Sequence, residues 1–229
     1  MKALLKPLAL ALALTAGAAA VIAATPPLRG NWIARIVPTA AGGHLRGNPD
    51  AKVKLVEYVS YTCNHCAEFE KQSDAELLTG FIKDGQGSVE IRPFLRNKID
   101  ITASLLVQCG PASRVFGNHS AMLRGQAKWL KSPNQAQQAR WNNPDFGTAM
   151  RAIASDLKLY DLMATRGYTR IQLDKCLTNK PLAERIAIQT GEAVEKLGIN
   201  GTPAFLINGE LVPGHDWLVL RPRLMLLTR

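Results

Sequence analysis

Cys63-Asn64-His65-Cys66 places two thiols three residues apart, directly after the apolar, β-branched run Val53 to Ser60 and at the start of a segment with helical spacing. On one helical turn that spacing lets Cys63 enter a mixed disulfide while Cys66 resolves it from within bonding distance. Position matters as much as spacing. The amide N–H groups of a first helical turn have no acceptor inside the helix, and the aligned peptide dipoles leave partial positive charge there, so a thiolate at Cys63 is stabilised. His65 adds a cation or a donor at the same end. Lowering a cysteine pKa from about 8.5 to about 5 corresponds to roughly 5 kcal/mol of thiolate stabilisation. Because the thiolate belongs to the reduced state, its stabilisation makes the disulfide a better oxidant. Cys63 is expected to be exposed and Cys66 more buried. The competing readings are a static bridge and half of a zinc site. A structural zinc takes four ligands, usually from a second Cys/His pair, whereas Cys109 and Cys176 are single and His44, His119 and His215 show no paired spacing. No metal and no cofactor is expected.

The elements that must hold this pair follow from periodicity. Ile33 to Val37 reads as a first strand and Val53 to Ser60 as a buried one. A helix follows from Cys63, carrying Ala67, Phe69, Leu77, Leu78 and Phe81, and ends at Gly80 and Gly85-Gln86-Gly87 ahead of a strand from Ser88 to Leu95 closed by Pro93. Residues 99–185 show no strand pattern; Ile101 to Cys109, Ala112 to Leu130, Phe146 to Leu157 and Ile171 to Leu177 have helical spacing, with Ser132 to Pro144 a polar separator. Leu182, Ile186, Ala193, Val194 and Leu197 share one helical face before Gly198 to Gly201 breaks the pattern. Ala204 to Ile207 and Glu210 to Pro213 read as strands joined by an Asn208-Gly209 hairpin turn, and the tail from Asp216 as two short helical pieces split at Pro222. The fold class is α/β: a β/α start, a helical middle and an α/β end.

Composition sets the outer limits. The chain has 229 residues, 47% hydrophobic and 20% charged, which suits one domain or one domain with an insertion and excludes a disordered tail or a disulfide miniprotein. Residues 1–24 read as a secretory signal peptide, with Lys2 and Lys6 ahead of an apolar run from Leu8 to Ala20 and small residues at Ala19, Ala20, Ala23 and Ala24 for cleavage near residues 20–24. The alternative is an uncleaved anchor spanning Pro7 to Ala24. Either way the remainder faces an oxidising compartment, the periplasm. Removing Lys2 and Lys6 takes the formal charge of +10 to 10 − 2 = +8, spread without a run of five like charges or a basic aromatic patch, so nucleic acid is not an expected partner.

Asn48-Pro49-Asp50-Ala51, Val56-Glu57-Tyr58, the CxxC at 63–66, Gly198-Ile199-Asn200-Gly201-Thr202-Pro203-Ala204-Phe205 and Asn208-Gly209, in that order across residues 46–212, resemble a DsbA-like thiol:disulfide oxidoreductase of the thioredoxin fold. The resemblance implies a thioredoxin fold with an inserted helical domain: residues 25–98 and 186–229 forming the thioredoxin part and 99–185 the insertion. It implies a cis peptide bond before Pro203, in a loop opposite Cys63 that binds substrate backbone, with the Thr202 hydroxyl near the Cys63 sulfur. It also implies that Glu57 lies beneath the site and assists proton transfer at the buried cysteine; from the residues alone, Glu57 either faces solvent or is buried for a purpose. DsbA-type oxidases commonly carry Pro where this chain has Asn64, so the redox potential does not carry over.

If Cys63 bonds Cys66, the remaining pair is Cys109 with Cys176, and some DsbA-like relatives have a second pair there; the alternative is two buried free thiols. His65 is the expected functional histidine, with His119 at the surface or in the insertion core, His44 and His215 in Gly-flanked loops, and Met122, Met150, Met163 and Met225 as packing residues. The expected function is oxidation of cysteine pairs in reduced or unfolded secreted proteins, with a membrane quinone-linked partner as reoxidant. The alternatives are a disulfide isomerase or reductase on the same fold, and a metal-binding or copper-delivery module.

Overall fold

The computed structural model describes residues 30–228, so the expected signal peptide lies outside the described residues. Six strands form one sheet: β1 (Ile36–Pro38), β2 (His44–Gly47), β3 (Val53–Val59), β4 (Gly87–Pro93), β5 (Ala204–Ile207) and β6 (Glu210–Val212), in the spatial order β1-β2-β4-β3-β5-β6. Only β3 and β4 are parallel, joined by the crossover helix α1 (Asn64–Glu76); every other neighbour is antiparallel. Period-two alternation divides β3 between two cores. Leu55 and Val59 join the large cluster with Cys66 and Phe69, while Val56 and Tyr58 join the smaller one with Ala193 and Leu206. Glu57 therefore faces the large core, on the side of α1.

The hairpin at Asn208-Gly209 forms as its sequence predicts. Asn208 (φ 52°) and Gly209 (φ 90°) both take left-handed conformations, as a two-residue turn needs. Asn208 also pins the hairpin to β3: its side-chain oxygen accepts from Lys54 N at 2.8 Å and its own N–H donates to Lys54 O at 2.9 Å.

Between β4 and β5 the described chain is helical: α2 (Lys98–Val107), a 3₁₀ turn (Ala112–Arg114), α3 (Val115–Arg124), α4 (Gln126–Trp129), α5 (Gln135–Trp141), α6 (Phe146–Asp156), α7 (Leu159–Ala164), α8 (Arg170–Leu177) and α9 (Lys180–Leu197). α9 runs without a break past residue 185, its first half packing Ile186 into the large core and its second half covering the other face of the sheet with Ala193. The helix α10 (Trp217–Leu227) closes the described chain and sets Trp217 edge-on to Phe69 at 6.0 Å.

Several sequence expectations need correction. The first strand is Ile36–Pro38 rather than 33–37, and His44 is in β2, not a loop, because Gly42 and Gly43 turn the chain back to pair with it. Gly80 does not end the first helix, which continues as a π-helical turn over Leu77–Ile82 so that Phe81 and Ile82 reach the core. The segment 112–130 is three pieces rather than one helix. The polar stretch 132–144 holds α5, whose Asn134/Gln137 capping box supplies the local start that its weak apolar pattern does not. The tail is one helix containing Pro222, because the carbonyl this proline leaves without a donor, that of Leu218, belongs to an exposed residue open to water.

Candidate active site

Cys63 is the N-cap of α1, in an extended conformation (φ −93°, ψ 121°), and its sulfur lies beside the first-turn amides of His65 and Cys66. The turn before it is stapled to the helical region. Asp100 of α2 accepts from Ser60 Oγ at 2.9 Å and Thr62 N at 3.0 Å, and Gln126 of α4 donates to the carbonyls of Tyr61 and Cys63 at 2.8 and 2.9 Å. These clamps fix the aim of the first helical turn.

Both cysteines are free and buried, which corrects the expectation of an exposed Cys63; Cys63 keeps 5% of its surface and Cys66 none. The loop at Thr202-Pro203, whose peptide bond is cis, lies against the Cys63 sulfur. The Cys63 thiol donates to the Thr202 carbonyl at 3.1 Å. That bond exists only for the protonated sulfur. In the thiolate, the Thr202 hydroxyl, which is buried and has no partner, is the donor on that residue able to serve the sulfur.

The two thiols are driven apart in acidity. The hydrogen bond from the Cys66 thiol is the largest influence on Cys63; it outweighs burial and, with the Thr202 side chain and the amides of Cys66 and His65, brings the Cys63 pKa down to about 4. Burial, together with that same hydrogen bond and the nearby Glu57 charge, pushes Cys66 well above the usual range. At neutral pH the pair holds one thiolate and one thiol. His65 contributes through its backbone amide; its imidazole is exposed and hydrogen-bonds to neither sulfur among the described residues, and Asn64 is likewise exposed.

Glu57 is buried at 3% exposure, and burial is the main cause that lifts its pKa to about 7, with His119 pulling down and Glu70 pushing up. The buried alternative of the two sequence readings is thus the one the fold adopts. Cys109 and Cys176 form a disulfide away from this centre, with Cα atoms 5.6 Å apart, rather than two free thiols. The structure brings together Cys63, Cys66, Glu57, Thr202 and Pro203.

This geometry, a CxxC at a helix start under a cis-proline loop at the end of a mixed sheet, has counterparts among known proteins. The Thioredoxin family model matches residues 39–217. The chain belongs to the thioredoxin family. Among solved structures, the thioredoxin-family chain is 47% identical to a protein-disulfide isomerase from Novosphingobium aromaticivorans, with a TM-score of 0.78 over 82% of this chain and 98% of that one. It shares the fold of Wolbachia pipientis alpha-DsbA1 at 20% identity and a TM-score of 0.66, covering 81% of this chain and 90% of that one. A Rickettsia bellii protein described as "Putative protein-disulfide oxidoreductase" is 29% identical over 164 residues, 71% of this chain. The chain spans 56% of that relative's length.

Sequence reasoning missed three buried groups around the site, Asp100, Gln126 and Glu70; of the two places it offered for His119, surface or insertion core, the fold takes the core, beside the site. Glu70 had a signal. It stands four residues after Cys66, on the same helical face as Ala67 and Ser73, where a carboxylate must be paired. His119 likewise shares the inward face of α3 with Val115, Phe116 and Met122. Asp100 stands in the first turn of α2 behind the Asn97 cap, a place where an acid is ordinary and gives no sign of a buried role, and Gln126 carried no signal.

Proposed function

We propose that this thioredoxin-family chain is a protein thiol:disulfide oxidoreductase that introduces disulfides into secreted proteins in the periplasm. The observation that carries this reading is the opposed acidity of Cys63 and Cys66, with Cys63 at about 4. A substrate thiolate attacks the Cys63 sulfur of the Cys63–Cys66 disulfide, and Cys66 leaves with the bond's electron pair and takes a proton from Glu57. A second substrate thiolate then attacks the substrate sulfur of the mixed disulfide and expels Cys63, a good leaving group because its thiolate is stable. The substrate gains a disulfide and the enzyme gains two electrons. Thr202 and Pro203 line the substrate side of Cys63, while His65 and Asn64 present the exposed face of the turn to a partner. A quinone-linked membrane protein is the proposed reoxidant, and the secretory reading of residues 1–24 supports the compartment.

Equilibration of the Cys63–Cys66 pair with glutathione tests the direction. The oxidase reading expects a potential toward the DsbA end of the range, about −120 mV, and a value near about −270 mV, that of thioredoxin, would overturn it. A second reading, disulfide isomerase, is favoured by the 47% identical structure described as a protein-disulfide isomerase. Refolding of a scrambled substrate decides between them: the isomerase reading expects the reduced enzyme to recover native pairing without net oxidation.

A further inference from the structure

Beneath Cys66 the chain buries a second set of ionisable groups that the exchange steps leave unused. His119 of α3 reaches toward α1, its Nε2 3.5 Å from Glu70 Oε2, while its Nδ1 lies 3.2 Å from the Tyr61 hydroxyl. His119 and Glu70 are both nearly inaccessible, at 3% and 6% exposure. With a carboxylate at one ring nitrogen and a phenol oxygen at the other, both nitrogens can donate, which is the hydrogen-bonding requirement of an imidazolium. Glu57, Glu70, Ser73 and His119 line one small cavity of about 20 Å³, walled further by Asp74 and Arg46. A space of this size holds one water when polar partners surround it, and Glu57 Oε1, Glu70 Oε1 and Ser73 Oγ have no hydrogen-bond partner in the protein.

We propose that His119, held as an imidazolium by Glu70, is a positioning residue for proton exchange at Cys66: across the shared cavity it sets the proton affinity of Glu57. The proposal rests on the reading of Glu57 as the proton partner of Cys66. When the enzyme resolves a mixed disulfide, the Cys66 thiol gives its proton to the Glu57 carboxylate. The Cys66 thiolate attacks the Cys63 sulfur, the Cys63–Cys66 bond forms, and the other protein leaves as a thiolate with the electron pair of the broken bond. In the opposite direction Glu57 returns the proton to Cys66. The mixed disulfide is the oxidant, so no further reactant enters.

The charges around Glu57 come from every packed element. Burial raises Glu57 most; the His119 cation lowers it and the Glu70 anion raises it. Glu70 and Asp74 belong to α1, His119 and Arg124 to α3, and Arg46 to β2, with Arg124 3.7 Å from Glu70 and 3.2 Å from Asp74. Tyr61 and Cys66 are pushed up by burial and are neutral at pH 7. Burial pulls His119 down most, but the Glu70 contact together with the Glu57 and Asp74 charges leaves it raised; burial pushes Glu70 up, but the His119 contact together with Ser120 and Arg124 leaves it lowered. A neutral His119 would leave Glu70 countered only by the partly exposed Arg124 and by Arg46, and Glu57 would stay protonated at the pH where it must accept a proton.

Two measurements test this. In the unaltered reduced protein, nitrogen NMR of His119 is expected to show both ring nitrogens protonated at pH 7.5; a neutral ring there overturns the proposal without any variant. In a variant series, the Glu57 carboxyl is titrated by carbon NMR and resolution of a glutathione mixed disulfide at Cys63 is timed against pH. H119Q is expected to move the Glu57 midpoint up by about one unit and slow resolution about tenfold at pH 7. H119Q/E70Q, in which a neutral pair replaces an ion pair of zero net charge, is expected to bring the midpoint back toward the native value. An unmoved midpoint in H119Q, or a double variant shifted as far as the single one, overturns the proposal. E57Q separates the two ideas: resolution at the native rate in E57Q sinks the Glu57 reading, while the Glu57 midpoints still score His119.

Discussion

The molecule carries two cysteine pairs whose helices present opposite ends to the sulfurs. Cys63 caps the N-terminus of α1, where free amides and the positive end of the peptide dipoles stabilise a thiolate. Cys109 follows the C-terminus of α2, and Cys176 is the penultimate residue of α8, so both stand where carbonyls and the negative dipole end disfavour one. The neighbours repeat the contrast. Cys63 has the Cys66 thiol, the Thr202 side chain and two amides as donors, whereas the Cys109 sulfur has the Gln172 carbonyl at 3.7 Å. Identical thiols thus stand free in a field that favours a thiolate in one place and joined in a crosslink in the other. The difference lies in the sign of the local field, and the fixed pair ties α8 to the end of α2, the helix from which Asp100 is aimed at the active turn.

The sharpest way to break this contrast is to delete one thiol at a time. C63A is expected to lower dithiol oxidation by more than about a thousandfold, and C66A to accumulate a mixed disulfide at Cys63 visible by non-reducing mass spectrometry. C109S/C176S is expected to keep turnover within about twofold but to lose about 4 kcal/mol of unfolding free energy, since the crosslink closes a 67-residue separation. A loss of turnover as deep as that of C63A would make the second pair redox-active and end the comparison.

Glu57 gives the next largest effect. An acid whose folded pKa is raised to about 7 opposes folding above that pH and has no such effect below its unfolded value of 4.5. E57Q is therefore expected to be more stable than the parent at pH 8, by about 3 kcal/mol, with the gain vanishing near pH 4.5 in urea titrations. Cys63 works in the other direction. Its depressed pKa stabilises the reduced fold fully above the unfolded thiol value, and this contribution is lost as the pH falls toward about 4. The stability of the reduced protein relative to the oxidised one should accordingly fall between about pH 8.5 and pH 4. The smallest change is T202V, which removes one donor to the thiolate and is expected to raise the Cys63 midpoint by about one unit, read by thiolate absorbance.

Much of the frame was legible because its signals are local. Val53–Val59 announced itself by a continuous β-branched run, the CxxC by its place after that strand, and the last hairpin by Asn208-Gly209. The second strand was not legible, since His44–Gly47 is short and earns its place only by pairing with β1 and β4. Helix α5 starts from a capping box rather than an apolar face, and α7 follows a left-handed Lys158, so neither shows in periodicity. At the site, Cys63, Cys66, Glu57, Thr202 and Pro203 were all singled out in advance, whereas Glu70 and His119 were not paired. They come from α1 and α3, 49 residues apart (119 − 70), and no local pattern encodes that meeting.

Residue order alone settles that a thiol pair opens a helix behind a buried strand, because strand, turn and cap are all encoded within some fifteen neighbouring residues. It also settles that the thiolate-stabilising amides lie on the Cys63 side, since the direction of the chain fixes the direction of the helix dipole. Tertiary structure alone decides how far the two acidities separate, for that depends on the depth at which Cys66 and Glu57 are buried and on distant donors folded over them. The same holds for the accessibility of Cys63. A loop 139 residues away lies against its sulfur, and desolvation and charge depend on distance in space, whatever the separation along the chain.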